Sequence, residues 1–332
     1  MRKKSRIETD LAAGVFAGKK TVELWRDPKN HPITSLIEIV HPDLNPFADV
    51  GVRIFAKDLR LQPLGQVKSG TAFNMLNASE LPGDAILYEA SSGNTVTAEG
   101  LLTDREVVAY VSPGTPEDKM ELPQLFGVQV IETLNGIQKA RTKGAEEGNA
   151  NLDQYKNPAN PEFFQRVIGP QIWNQTNHSI TLFCTGLGTT GTMIGISNYL
   201  KGENPDIRTV GVIVKEGDSV PGVRTKKRLE EVSLPWQDAI DASQTVGEYD
   251  SYEKSLGLIR KASILAGPSS GFALHGLHQE LNSLEKHGEL EGLKNRFGEI
   301  VAVFPILDDP RFYIKRYFEL LPKSFFKPIK KE

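Results

Sequence analysis

Cysteine, long hydrophobic runs and a charge excess of either sign are all scarce in this 332-residue sequence. Its one cysteine, Cys184, excludes an intramolecular disulfide and indicates a reducing compartment, so we expect a cytoplasmic protein. No apolar segment is long enough to predict a signal peptide or a membrane span. The 39 lysines and arginines nearly balance the 42 aspartates and glutamates. We therefore expect a small-molecule ligand, with no nucleic-acid and no membrane partner.

Residues that bind metals are equally few. The six histidines and one cysteine lack the spacing of a metal site, and we predict none. His178 and His275 are interpreted as structural residues. Cys184 lies in an apolar segment and is interpreted as a small core residue, not a nucleophile.

Apolar segments and helical patterns alternate along most of the chain, which is typical of a parallel sheet covered by helices on both faces. The length suffices for two domains, each with its own core. A polar stretch with two prolines, 151–161, predicts a crossing between them. An extended segment is predicted at 32–40, and strands are predicted at 52–57, 84–89, 107–111, 128–133, 180–185, 209–214 and 300–304. Helices are predicted at 72–78, 96–102, 116–126, 136–148, 162–174, 248–262 and 272–287.

One strand-to-helix turn stands out, because residues 180–185 lead into a loop of glycines and threonines, 186–192. Glycines let backbone approach an anion closely, and the free N–H groups at a helix start favour negative charge. The loop therefore predicts a phosphate site. It also fits G-x-G-x-x-G through Gly186, Gly188 and Gly191, which leaves open a nicotinamide oxidoreductase with Glu216 or Asp218 on the ribose.

Three such turns, at Ser91, Gly186 and Gly267, are rich in Gly, Ser or Thr. Ligands of open α/β sheets gather at the carboxyl ends of the strands, so the three turns can enclose one ligand. Lys68 lies in a further turn without other charges. Burial would disfavour its charge, and a neutral lysine is a nucleophile for carbonyl groups.

The order of these motifs resembles the fold-type II pyridoxal-phosphate enzymes, specifically the cysteine synthase (O-acetylserine sulfhydrylase) group. The likeness extends from about residue 32 to residue 311. The segments that carry it are Ile33-Thr34-Ser35-Leu36 (family N-T-P-L), Gln62-Pro63-Leu64-Gly65-Gln66-Val67-Lys68 (N-P-G-x-S-V-K), Ser91-Ser92-Gly93-Asn94-Thr95 (T-S-G-N-T), Asn157-Pro158-Ala159-Asn160-Pro161 (N-P-A-N-P), Gly188-Thr189-Thr190-Gly191-Thr192 (G-T-G-G-T) and Gly267-Pro268-Ser269-Ser270-Gly271 (G-I-S-S-G).

The resemblance implies an α/β fold of two three-layer domains with mostly parallel sheets, similar to the tryptophan synthase β-subunit. A smaller, mobile domain, 46–160, would carry Lys68 and the loop 91–95. The larger domain, 1–45 plus 161–325, would carry the phosphate loop and Ser270, and a basic tail, 326–332, would follow. The resemblance also implies a homodimer.

Residue roles follow from the same resemblance. Lys68 would bind pyridoxal 5'-phosphate covalently and later remove the Cα proton of the substrate. Asn94 would bind the ring hydroxyl of the cofactor, and Ser270 its pyridine nitrogen. Arg224 is a candidate contact of the leaving group, with a solvated charged face as the alternative. The phosphate would be held by Gly188, Thr189, Thr190, Gly191 and Thr192, and the substrate carboxylate by Ser91, Ser92, Gly93 and Thr95.

The implied reaction is β-elimination or β-replacement on O-acetylserine or O-phosphoserine through an α-aminoacrylate, with sulfide as the nucleophile and cysteine as the product. A neutral hydroxyl at Ser270 makes the ring a weaker electron sink than a carboxylate would, which suits this chemistry better than transamination. A serine or threonine dehydratase and a catalytically silent paralogue remain alternatives. The silent paralogue is suggested by the departures from the family pattern directly after Lys68, at Ser69 and Gly70. Thr190 and Pro268 also depart from that pattern.

Overall fold

The computed structural model describes residues 7–60, 65–91, 93–113, 115 and 117–328. The strands are β1 Leu36–Glu38, β2 Val52–Asp58, β3 Ile86–Ala90, β4 Val107–Val111, β5 Gln129–Glu132, β6 Asn149–Ala150, β7 Leu182–Gly186, β8 Arg208–Val214, β9 Ala242–Val246 and β10 Ile300–Ile306. The α-helices are α1 Thr21–Arg26, α2 Lys68–Ala78, α3 Asn94–Leu102, α4 Glu117–Gln124, α5 Gly136–Gly144, α6 Ala159–Phe163, α7 Gly169–Gln175, α8 Gly191–Glu203, α9 Lys226–Leu229, α10 Glu248–Ala262, α11 Pro268–His287 and α12 Ile314–Leu320.

The strands form two sheets. The larger has the order β1-β2-β10-β7-β8-β9, and the smaller has the order β5-β4-β3-β6. All pairings are parallel except that of β1 with β2. The predicted fold class, α/β with mostly parallel sheets, is confirmed.

Both faces of the larger sheet are buried, which explains the continuous apolar runs of its central strands. Every residue of β7 and β10 is buried. Leu182 and Cys184 pack into the core with Phe272 of α11, while Phe183 points to the opposite core with Phe164. The period-2 alternation of a strand therefore feeds two cores from one segment, and Cys184 is a core residue as predicted.

Two short strands, β6 and β9, are absent from the sequence-based prediction. The β9 residues Ala-Ser-Gln-Thr-Val carry few bulky apolar side chains, and four of the five are only partly buried or exposed. This strand is defined by its five-residue register with β8, a tertiary contact. Helix α11 begins at Pro268 instead of Phe272, because proline is well suited to the first helical position.

The division into two domains stays a prediction, but hydrogen bonding does not separate the chain at residue 46. Strand β2, which the prediction assigns to the smaller domain, pairs along seven residues with β10 in the larger sheet. The smaller sheet begins only at Ile86. Residues 329–332 of the predicted tail lie outside the described part of the chain. Within the described part, no helix is long and apolar enough to cross a membrane.

Candidate active site

Lys68 is the first residue of α2, and its amine meets the glycine-threonine loop between β7 and α8. Lys68 Nζ donates a hydrogen bond of 3.1 Å to Thr189 Oγ1. Burial lowers the pKa of Lys68 to about 8, because desolvation disfavours its charged form. A substantial fraction of this lysine is therefore neutral near physiological pH. The motif residues 62–64 that precede it lie outside the described residues.

The loop between β7 and α8 has the shape of an anion cradle. A Cβ at Gly188 would overlap the carbonyl oxygen of Gly222, and one at Gly191 would overlap the amide of Asn160. Thr190 adopts φ +70°, and its buried hydroxyl has no hydrogen-bond partner within the described residues. Helix α8 follows with free N–H groups at its start. These features fit the phosphate of pyridoxal phosphate.

Asn160 links this loop to the rest of the site. Its Nδ2 donates to Thr189 Oγ1 at 3.1 Å and to the carbonyl of Gln154 at 2.8 Å, while its Oδ1 accepts from Thr71 Oγ1 at 3.4 Å. Asn160 was not among the site residues predicted from the sequence. The signal was present, however, because this residue belongs to the Asn157–Pro161 motif that resembles the family.

The turn after β3 positions the start of α3. The Gly93 N–H donates to Ser91 Oγ at 3.1 Å, and Gly93 adopts φ +121°. Thr95 Oγ1 donates to Gln154 Oε1 at 2.6 Å, so its hydroxyl proton is already engaged. Among the described residues, the donors that remain for a carboxylate are the Ser91 hydroxyl and the backbone N–H groups at the start of α3. Ser92 lies outside the described residues.

Asn94 and Ser270 are linked by hydrogen bonds to the residues that immediately precede Lys68. The carbonyl of Asn94 accepts from Gln66 Nε2 at 3.0 Å, two residues before Lys68. Ser270 Oγ accepts from the Leu307 N–H at 3.1 Å, and the Leu307 carbonyl accepts from the Val67 N–H at 3.0 Å. Within the described part of the chain the Ser270 hydroxyl donates to no acceptor, so its proton is available to a ligand.

A buried carboxylate, Asp308, contacts Asn94 and Ser269, and it was not predicted from the sequence as a site residue. Asp308 Oδ2 lies 3.5 Å from Asn94 Nδ2 and accepts from the Tyr313 hydroxyl. Its Oδ1 accepts from Ser269 Oγ at 3.4 Å. The Lys119 ammonium lies 4.7 Å from the centre of the Tyr313 ring. Burial raises the pKa of Asp308, and the charge of Lys119 opposes that shift.

Arg224 is brought to the phosphate loop by its backbone, since its N–H donates to the Leu187 carbonyl at 2.8 Å. Its guanidinium is buried over the Tyr155 ring at 4.6 Å and forms an ion pair with Glu231. It also donates to the Arg228 carbonyl at 2.9 Å. Contact between Arg224 and a leaving group therefore stays a prediction.

Comparison with known proteins identifies the class. Residues 41–292 match the family described as "Pyridoxal-phosphate dependent enzyme". The cysteine synthase B of Pseudomonas aeruginosa is 32% identical over 241 residues, which cover 67% of this chain and 79% of that protein. The cysteine synthase of Aquifex aeolicus is 32% identical over 272 residues, 76% and 80% of the two chains. The chain therefore belongs to the pyridoxal-phosphate dependent enzyme family.

Solved structures agree on the fold. The O-acetylserine dependent cystathionine beta-synthase from Helicobacter pylori superimposes with a TM-score of 0.72 at 21% identity, covering 88% of this chain and 96% of that one. The predictions of a cysteine synthase-like enzyme and of pyridoxal phosphate as its cofactor are confirmed. This family assignment favours a phosphate site over a dinucleotide site as the function of the loop 186–192. The roles of individual residues stay predictions.

Proposed function

We propose that this enzyme catalyses β-replacement on a β-substituted L-serine, O-acetylserine or O-phosphoserine, with sulfide as the incoming nucleophile and cysteine as the product. The contact between Lys68 Nζ and Thr189 Oγ1 at 3.1 Å is the observation that carries the proposal, since it joins the nucleophilic amine to the anion cradle. The cysteine synthases among its relatives supply the reaction type. Bound pyridoxal phosphate would supply the electron sink for loss of the Cα proton and of the β substituent.

Lys68 is the proposed covalent attachment point of the cofactor and the base that takes the Cα proton. A base works best when its pKa lies near the working pH, and burial lowers the pKa of Lys68 to about 8. The hydrogen bond to Thr189 orients the amine. The same loop would bind the phosphate through the backbone at Gly188 and Gly191 and the hydroxyl groups of Thr189, Thr190 and Thr192.

Two side chains would orient the ring. Asn94 would donate to the ring hydroxyl, and Ser270 would donate its hydroxyl proton to the pyridine nitrogen. A neutral partner at that nitrogen moderates the electron sink, which favours loss of a β substituent over transamination.

The turn 91–95 is the proposed binding site of the substrate carboxylate. Ser91 and the N–H groups at the start of α3 would donate to it, aided by the positive end of the helix dipole. Gly93 allows the turn because its φ of +121° excludes other residues. We also propose that the protein is cytoplasmic, which the free, buried thiol of Cys184 supports. The resemblance to the family further supports a homodimer.

Product analysis tests the reaction. The purified enzyme, saturated with pyridoxal phosphate, is mixed with O-acetylserine, O-phosphoserine or serine, with and without sulfide, and cysteine and pyruvate are quantified. We expect sulfide-dependent cysteine from one of the two activated serines, none from Lys68→Ala, and unchanged yield from the exposed control Lys20→Ala. Pyruvate from serine without cysteine formation would instead identify a dehydratase.

A further inference from the structure

Asp308 follows β10 and lies almost completely buried, with 3% of its surface exposed. Its carboxylate is fixed by the Tyr313 hydroxyl and by Ser269 Oγ at 3.4 Å. Its backbone carbonyl accepts from the Gly267 N–H at 3.0 Å. A Cβ at Gly267 would overlap the Asp308 side chain, so the start of α11 is shaped around this carboxylate. Burying a charge in this way is costly, and the cost calls for a compensating role.

We propose that Asp308 is a positioning residue that fixes the amide orientation of Asn94, so that the amide nitrogen faces the ring hydroxyl of bound pyridoxal phosphate. This inference rests on the proposed function. An ionised carboxylate only accepts hydrogen bonds, so the group of Asn94 that faces Asp308 Oδ2, at 3.5 Å, is the NH2. One amide hydrogen is used there, and the second remains for the cofactor. Without the carboxylate, the amide can rotate and present its oxygen.

Lys119 supplies a buried positive charge that acts on Asp308. It comes from α4, its residue is 4% exposed, and its ammonium finds no hydrogen-bond partner among the described residues. The ammonium lies 4.7 Å from the Tyr313 ring centre, and the Tyr313 hydroxyl donates to Asp308. Burial raises the pKa of Asp308 and lowers that of Lys119, and the charge of each group opposes the shift of the other. Lys119 therefore favours the ionised form of Asp308, which is the form that accepts from Asn94.

The ring hydroxyl of lysine-bound pyridoxal phosphate is ionised in the form that absorbs visible light. A donor at that oxygen stabilises this form, and loss of the donor returns the proton to oxygen and moves absorbance to the near ultraviolet. The orientation of Asn94 is therefore readable from the spectrum and from cofactor affinity, both without turnover.

The test compares three holoenzymes, which are the wild type, Asp308→Asn and Asp309→Asn. Asp309 is the matched control, since its carboxylate pairs with Arg311 at 2.8 Å, and Arg311 is exposed. We expect Asp308→Asn to weaken pyridoxal-phosphate binding about tenfold, equivalent to one hydrogen bond to a charged group, and to lower the ratio of visible to near-ultraviolet absorbance. Asp309→Asn should match the wild type.

A double-mutant cycle shows whether Asp308 acts through Asn94. In an Asn94→Ala background, adding Asp308→Asn should weaken cofactor binding no further. Full additivity, or a wild-type spectrum and affinity in Asp308→Asn, would overturn the inference alone. A wild-type chain that takes up no pyridoxal phosphate would overturn the proposed function and this inference with it. If Asp308→Asn does not fold, Tyr313→Phe removes one hydroxyl from the carboxylate, and an unchanged spectrum there would equally overturn it.

Discussion

Lys68 Nζ and Thr189 Oγ1 lie 3.1 Å apart although 121 positions separate them in the chain. The first belongs to the start of α2 and the second to the loop between β7 and α8. A nucleophilic amine and an anion cradle in direct contact suit a ligand that carries both a carbonyl and a phosphate. Pyridoxal phosphate is such a ligand, and the chain belongs to the family that uses it.

The ionisation of Lys68 should control how fast the cofactor attaches. Only the neutral amine attacks an aldehyde, and burial lowers the pKa of Lys68 to about 8. The neutral fraction therefore rises as pH passes through 8, not through the ordinary lysine range near 10.5. We expect the rate of visible-band formation in cofactor-free enzyme, measured by stopped-flow mixing with pyridoxal phosphate, to rise with a midpoint near that pH. A rate that still climbs steeply above pH 10 would contradict it.

Gly191→Ala should disable the phosphate cradle. The new Cβ would overlap the Asn160 amide, and either the amide or the loop must move. We expect at least about tenfold weaker cofactor binding and a loss of about 1–3 kcal/mol in the free energy of unfolding. Fluorescence titration and urea unfolding measure the two effects.

Gly202→Ala, near the end of the same helix, provides the control. A Cβ at Gly202 meets no atom within 4 Å, so alanine should add up to about 1 kcal/mol of stability without changing cofactor affinity. Equal losses of affinity in the two variants would mean that the loop at Gly191 has no special part in binding.

Asn160→Ala should weaken the link between the phosphate loop and the segment that contains Gln154. It removes the buried bonds to Thr189 Oγ1 and to the Gln154 carbonyl, at a cost of about 1–3 kcal/mol of unfolding free energy. Asn77→Ala removes only an exposed bond to the Phe73 carbonyl within one helix, and should cost less than about 1 kcal/mol. Chemical denaturation measures the loss of unfolding free energy in both variants. Equal losses would show that Asn160 does not link the phosphate loop to the segment around Gln154.

Arg224→Ala tests the predicted contact with a phosphorylated leaving group. If the guanidinium serves that group, kcat/KM should fall about tenfold or more for O-phosphoserine relative to O-acetylserine, because a charge-assisted hydrogen bond is lost. Glu231→Gln controls for loss of the ion pair with Arg224. Equal losses for both substrates would reduce Arg224 to a structural residue stacked on Tyr155.

Much of the fold could be predicted because its main strands are buried on both faces. Strand β4 and helix α10 have the predicted bounds, Val107–Val111 and Glu248–Ala262. Strand β9 could not be predicted, since its polar residues become a strand only beside β8. The membership of β2 in the larger sheet likewise depends on its pairing with β10, almost 250 residues along the chain.

The candidate site shows the same limit. Motifs name residues that lie close in sequence, such as Ser91 to Thr95, but not the partners that folding brings to them. The proton of Thr95 is donated to Gln154, and the amide of Asn94 faces Asp308. The sequence gives neither partner a role, because a Gln or Asp cannot be told from a surface residue until its burial is known.

The visible spectrum of the enzyme with pyridoxal phosphate tests the central claim most directly. We predict a yellow wild-type protein whose band shifts when O-acetylserine or O-phosphoserine is added and returns when sulfide follows, while Lys68→Ala shows no lysine-bound band. A wild-type protein that stays colourless after incubation with the cofactor would contradict the assignment of Lys68. A visible band that does not change when either amino acid is added would contradict the β-replacement reaction.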